Sequence, residues 1–273
     1  MIKVSIVSHT MDPEGTVAKA GKLCYSPIGI DEMDLKEGEV NKFVNMLTSM
    51  HHESPLEHAS FTFAVEGISR ITEIQLVRHR IAAYSIQSGR YVKRESPKFV
   101  TPPRVENNTM TKQRYNRVVK ESIEAYNEIF MYLMMEKLGY SGYYLAEFES
   151  DQGKDQLNDF MINKVQTLLD TDKKLYSMYE KECMEDARYA HLQSIETKVC
   201  FTMNARSLLN LFEKRTCRRA QWEISELARE VLSQASKVAP TLFKYAGPSC
   251  VKDKCKEGSM SCGNPLTVEE LFR

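Results

Sequence analysis

Ile195-Glu196-Thr197-Lys198-Val199-Cys200-Phe201 sets Ile195, Thr197, Val199 and Phe201 on one face and Glu196, Lys198 and Cys200 on the other. A period of two is a strand signal. Residues 204–238 follow at once with a helical pattern, in one piece or two, that ends before Pro240. Working outward, Phe61, Phe63 and Val65 alternate with Thr62 and Ala64, and Ile2, Val4 and Ile6 alternate with Lys3 and Ser5. These predict two more strands. Asp12-Pro13-Glu14 offers a helix start with Pro at the first position, and residues 39–51 carry a helical stripe of Val40, Phe43, Val44, Leu47 and Met50. Ser54-Pro55-Leu56-Glu57 has the form of a capping box and predicts a helix from Ser54. Residues 68–79 fit a helix whose apolar positions are Ile71, Ile74, Leu76 and Val77. Pro97, Pro102 and Pro103 mark 95–110 as a loop. A long amphipathic helix is predicted over Thr111–Leu138, and a second helical run, after a polar break at 149–156, reaches about Met184. Few strands and several long helices make an α+β fold, with helices packed on a modest sheet.

Composition narrows the function classes. The chain is 42% hydrophobic and 27% charged, and its 37 basic residues equal its 37 acidic ones. A neutral balance argues against non-specific coating of nucleic acid, while small anions need only local arginines. No apolar run approaches the ~20 residues of a membrane span. The opening residues read as a strand and not a signal peptide. Seven cysteines, an odd number with four of them scattered, suit reduced thiols and a cytoplasmic location.

Chemistry concentrates in Gln75-Leu76-Val77-Arg78-His79-Arg80-Ile81-Ala82-Ala83-Tyr84-Ser85-Ile86-Gln87-Ser88-Gly89-Arg90-Tyr91. Arginine forks suit phosphates and carboxylates. Ser and Gln add donors and acceptors, and Gly89 permits close backbone approach. Such a stretch would hold a nucleotide phosphate. On chemistry alone a solvated basic turn at a helix C-terminus, favoured by the helix dipole, fits as well.

Further motifs tip the balance. Arg78-His79-Arg80, seven residues, then Ser88 resembles the signature of flavin-dependent thymidylate synthases, and Arg90-Tyr91 continues it. His52-Glu53-Ser54-Pro55 with Glu57-His58, Asn204-Ala205-Arg206-Ser207-Leu208, Asn210, Arg215, Ala220-Gln221-Trp222-Glu223-Ile224 and Arg188 resemble other blocks of that family in family order. The blocks span about 1–100 and 185–245. The resemblance implies a mixed or antiparallel sheet flanked by long helices. It also implies one catalytic domain over 1–246 with a helical insertion at 139–184, and a cysteine-containing tail at 247–273.

It further implies reductive methylation of dUMP to dTMP. The one-carbon donor would be 5,10-methylenetetrahydrofolate, and the hydride would come from FAD reduced by NADPH. His52, Ser54, Arg78, His79, Arg80, Asn204, Arg206 and Asn210 are carried over as flavin residues. Gln75, Arg78, Ile86, Gln87, Ser88, Gly89, Arg90, Arg188 and Arg215 are carried over toward dUMP, with Arg188 reaching it from another subunit of a homotetramer. Arg215 and Ser88 are the catalytic candidates. Arg215 would stabilise negative charge on N3 of uracil and raise electron density at C5, so that no cysteine nucleophile is needed. Ser88 would act without a covalent bond. Trp222 and Leu208 read as core, and Lys214, Arg218 and Arg219 read equally as a solvated helix face. The chain departs from the family at Ala83, Leu192 and Arg219, and above all at Ile86, where a polar side chain usually meets the nucleotide. A non-catalytic paralogue binding FAD or nucleotide therefore stays open.

Cys250, Cys255 and Cys262 cluster in the tail with spacings C-x4-C-x6-C. The usual C-x2-C pair and a fourth ligand are missing, and only folding would bring Cys217 or a His to them. Tails of this kind resemble those of some clostridial-type members. The expectation is a disordered, reduced tail without metal, with a metal-stabilised interaction module as the rival reading.

Overall fold

The computed structural model describes residues 2–29, 32–90, 92, 97–140 and 151–271, with backbone alone at 151–154. Tyr91 of the arginine-rich motif and residues 141–150 of the expected insertion lie outside them. The chain divides into two compact units, one formed by Met1–Ile86 with Glu196–Arg273, the other by Gln87–Ile195.

In the first unit four strands form a sheet of order β1-β2-β4-β3: β1 Lys3–His9, β2 Ser60–Ser69, β3 Ala82–Ile86 and β4 Glu196–Asn204. Every pairing is antiparallel. The alternating residues do what their period demands: Phe61, Phe63, Val65, Val199, Phe201 and Met203 are all buried. Phe63 lies opposite Phe201 with ring centroids 5.3 Å apart, and on the other face Thr62 and Thr202 share a 2.9 Å hydroxyl hydrogen bond. Such directly opposed pairs fix register. The register shifts between Val65 and Ile68, where Gly67 adopts φ 75°, a bulge conformation that disfavours a side chain.

Helices close over the sheet. α1 Pro13–Leu23 starts as expected, with Asp12 accepting from the backbone N–H of Gly15 at 3.0 Å and Pro13 opening the helix. α2 Glu37–Ser49 buries Val44 and Leu47. The helix expected from Ser54 is only one 3-10 turn, Ser54–His58, without a side-chain cap. Glu57 turns instead to Arg206, and the chain enters β2 two residues after the turn.

α3 Arg70–Leu76 is shorter than the predicted 68–79, because Ile68 and Ser69 pair with Thr197 and Glu196 as the end of β2. Its buried face is Thr72, Glu73 and Leu76, while Ile71 and Ile74 are each 41% exposed. The apolar periodicity of that segment was therefore right at Leu76 and wrong at Ile71 and Ile74.

The second unit is helical: α4 Pro103–Glu106, α5 Thr109–Lys137, α6 Asp151–Thr171 and α7 Lys173–Ala187. Asn108 caps α5, accepting from Met110 and Thr111. The single run expected up to Met184 is broken at Asp172, whose carboxylate caps α7 through Leu175 N–H. Met134, Leu168, Tyr176 and Cys183 form one apolar cluster of this unit, and Met135, Leu157 and Met161 another.

Back in the first unit, α8 Ala205–Arg215 and α9 Trp222–Val238 confirm the two-piece reading of 204–238. Leu208 is buried as core, and Trp222 is partly buried. The last residues form α10 Ser249–Lys252, a 3-10 turn at Gly258–Met260 and α11 Val268–Leu271. The expectation of a disordered tail is corrected here, since Leu266 and Leu271 join the core that contains Phe61 and Phe243. Gly247, at φ 139°, is needed for this return, because a Cβ there would stand 2.6 Å from Leu271. Among the described residues no helix is long and apolar enough to cross a membrane.

Candidate active site

The arginine-rich motif begins on α3 and turns into β3. Glu223, buried on α9, fixes the start of α3: its carboxylate accepts from the backbone N–H and the hydroxyl of Ser69, both at 2.6 Å. Ser69 in turn caps α3 through Thr72 N–H at 3.2 Å. At the other end, the Tyr84 hydroxyl lies 2.8 Å from both the Leu76 and His79 carbonyl oxygens, its one proton shared between them. Burial raises the Tyr84 pKa to about 12, against the lowering effect of Arg80, so the hydroxyl stays a donor. The turn bearing Arg78, His79 and Arg80 is thus held at both ends.

His79 meets Arg215, the last residue of α8, 136 positions along the chain. Arg215 Nε donates to His79 Nε2 at 2.9 Å. Burial, and then the Arg215 charge, lower the His79 pKa to about 4, so the ring is neutral near pH 7 and can accept. Arg215 is therefore held through one nitrogen by an uncharged partner, with no carboxylate paired to it among the described residues. Arg78 and Arg80 are exposed and likewise carry no ion pair among the described residues.

The N-terminal end of α8 has a different character. Asn204 caps the helix, accepting from Ser207 N–H at 2.8 Å. Arg206 donates through Nε to Glu53 at 3.1 Å and through Nη1 to Glu57 at 2.5 Å. The Glu57 hydrogen bond is the main cause raising the Arg206 pKa. His52 and Ser54 are exposed beside this pair in sequence, and His52 Nδ1 lies 3.4 Å from the Tyr25 hydroxyl. Asn210 is exposed midway along α8. The flavin candidates are accordingly divided. His79 stands with Arg215, whereas Arg206 stands nine residues away, about 14 Å along the helix axis at ~1.5 Å per residue.

The remaining candidates sort by unit. Gln75, partly buried on α3, and Ile86, 38% exposed at the end of β3, belong to the first. Gln87, Ser88, Gly89, Arg90 and Arg188 belong to the second. There Ser88 Oγ accepts from Arg90 N–H at 3.1 Å, and Arg90 pairs with Glu185 at 2.9 Å. Arg188 runs so close to Gly89 that a Cβ would lie 3.3 Å from its Nη1, which gives Gly89 a role in admitting a guanidinium.

Four residues at work here received no such role from the sequence. Tyr84 was one hydroxyl among several, Glu53 and Glu57 were read as motif and cap, and Glu223 was only part of a matching block. The one available signal was their presence inside the matched motifs.

The family model described as "Thymidylate synthase complementing protein" matches residues 5–241. The chain belongs to this family. A flavin-dependent thymidylate synthase of Clostridium tetani (strain Massachusetts / E88) is 44% identical over 273 residues, covering 99% of this chain and 97% of that protein. One from Geobacter sulfurreducens is 38% identical, covering 100% of this chain and 98% of its own. One from Saccharolobus solfataricus is 35% identical, with 100% and 86% covered. As a family member the chain carries most of its matched motifs in the sheet-containing unit, and Ser88, Gly89, Arg90 and Arg188 in the helical one.

Proposed function

We propose that this chain is a flavin-dependent thymidylate synthase, an enzyme that converts dUMP to dTMP with 5,10-methylenetetrahydrofolate as carbon donor. The observation that carries the reading is Arg215, an arginine with no carboxylate paired to it among the described residues, held by a neutral histidine inside the family motif. A guanidinium fixed in this way stabilises negative charge developing on the uracil ring without reorganising during reaction.

FAD fits the donor set. Arg78 and Arg80 suit a pyrophosphate because their charges are not already committed to carboxylates. Arg206 would meet the cofactor while tied to Glu53 and Glu57, and His79 would do so through Nδ1, since Nε2 accepts from Arg215. Asn204, Asn210, His52 and Ser54 complete the proposed cofactor set. When bound and reduced by NADPH, FAD supplies the hydride. Gln75, Arg78 and the segment Ile86–Arg90 would bind dUMP, with Ser88 in a non-covalent role and Arg188 meeting it beside Gly89 of its own chain instead of from a neighbouring subunit. The division of the flavin candidates between the two ends of α8 supports a homotetramer with shared sites.

The test is an assay of purified protein with dUMP, methylenetetrahydrofolate, FAD and NADPH. The expected outcome is dTMP with tetrahydrofolate as the folate product and no covalent protein–nucleotide adduct in the mass spectrum. Dihydrofolate with a cysteine-linked adduct would overturn the reading. A second reading, a non-catalytic paralogue, is favoured only by Ile86, which leaves an apolar, partly exposed side chain where a polar contact is expected. Flavin binding without turnover would select it.

A further inference from the structure

We propose that Cys217, Cys250, Cys255 and Cys262 form a structural zinc site that ties the C-terminal segment to the end of α8. All four line one cavity of the first unit. Three come from the tail, and the fourth ligand that their spacing lacked arrives from the turn after α8, 33 positions earlier in the chain. The other three cysteines lie elsewhere: Cys24 after α1, Cys200 on β4 and Cys183 in the second unit.

Charge agrees with this assignment. Lys214, Arg218, Arg219 and Lys256 line the same cavity with Glu213 and Glu257, and Arg218 also pairs with Glu270 at 2.7 Å, which leaves one cation in excess. A divalent zinc held by four thiolates carries two net negative charges, and that excess would offset part of them.

The backbone around the thiols is already held. Arg218 donates to the Asn264 carbonyl at 3.1 Å and Arg219 to the Met260 carbonyl, on either side of Cys262. Leu266 N–H points at Cys250 Sγ at 3.5 Å, the kind of outer hydrogen bond that supports a metal-bound sulfur. The basic residues after α8 are thus a clamp on the tail and not a free solvated face.

As the side chains stand, no three His, Cys, Asp or Glu among the described residues are grouped closely enough to hold an ion. Closure requires the cysteine side chains to rotate between staggered wells, and Cys262 to leave its 3.3 Å hydrogen bond to the Asn264 carbonyl. Four thiolates favour zinc in a closed tetrahedral site with Zn–S of about 2.3 Å. Each ligating thiol releases its proton to solvent, and no electron is transferred.

The proposal does not rest on the thymidylate synthase reading, and its test needs no turnover. Full-length protein expressed with added zinc and purified under reducing conditions is analysed for metals. The expected result is about one zinc per chain, with X-ray absorption showing four sulfur neighbours at ~2.3 Å. Cys217→Ala and Cys255→Ala should each lose the zinc, while Cys24→Ala keeps it. Should the variants fail to fold, the wild-type X-ray absorption spectrum decides by itself. The proposal is overturned by protein free of zinc, by iron in its place, by zinc retained in Cys217→Ala, or by an intact mass showing the four sulfurs as two disulfides.

Discussion

Two arginines on one helix meet different fates. Arg206, at the start of α8, is half exposed and tied to two glutamates. Arg215, at its end, is partly buried and tied to one neutral histidine. An arginine matched by carboxylates is charge-balanced and offers an incoming anion little. One oriented by a neutral acceptor keeps its field while losing its freedom. That difference, and not the residue type, makes Arg215 the candidate for polarising a substrate.

The comparison breaks most visibly at Arg215. Arg215→Lys keeps a charge but loses the Nε–H that meets His79 and the planar fork. On the proposed function, dTMP formation should fall by about 10²–10³ while flavin absorbance persists, since one preorganised donor contributes on that scale. Unchanged turnover by the variant, read in a steady-state dTMP assay, would remove Arg215 from the mechanism.

Tyr84 sharpens the same end of the helix. Tyr84→Phe leaves the Leu76 and His79 carbonyls without their shared donor and should lower unfolding free energy by about 1 kcal/mol. Urea unfolding followed by the fluorescence of Trp222 measures it. A neutral result would mean the His79 turn is held by Glu223 and the sheet alone.

The third effect lies in the titration of His79. Its pKa of about 4 against 6.5 for a free imidazole means that the unfolded chain takes up a proton first. The contribution of His79 to stability is therefore complete above pH 6.5 and is lost as pH falls toward 4. Arg215→Gln removes the smaller of the two causes, so the pKa should rise by less than half of the gap and remain below 6.5. Imidazole NMR shifts across pH 3–8 follow it directly, and an unmoved titration would show that the Arg215 charge is not felt.

At the other end of α8, Glu57→Gln should change stability only within the small range of exposed ion pairs, and by less in high salt. A loss well beyond that range in thermal unfolding would mean that Arg206 is more than a surface clamp.

Local pattern alone determined much of this protein. The period of two in 61–65 and 195–201 is written into neighbouring residues, because successive side chains of a strand must face opposite ways. The helix start at Asp12-Pro13 was legible from its own residues, whereas 204–238 stayed open between one helix and two. The motif blocks named the family, and Arg78, His79, Arg206 and Arg215 with it. Tertiary structure decided everything that depends on a distant competitor. Ser54-Pro55-Leu56-Glu57 reads as a helix start, yet Glu57 found Arg206, 149 residues away, and the segment stopped at one turn. Ile68 and Ser69 went to the sheet because β4 offered hydrogen bonds that α3 did not. His79 could be singled out from the sequence motif, but not as the neutral partner of Arg215, for its ionisation depends on burial and on a charge 136 residues off. Cys217 and the tail cysteines share no local period either. The packing of Leu266 and Leu271 into the core, together with the hold of Arg218 and Arg219 on the Asn264 and Met260 carbonyls, brings them to one cavity, because apolar burial is non-directional and draws together segments that carry no mark of each other.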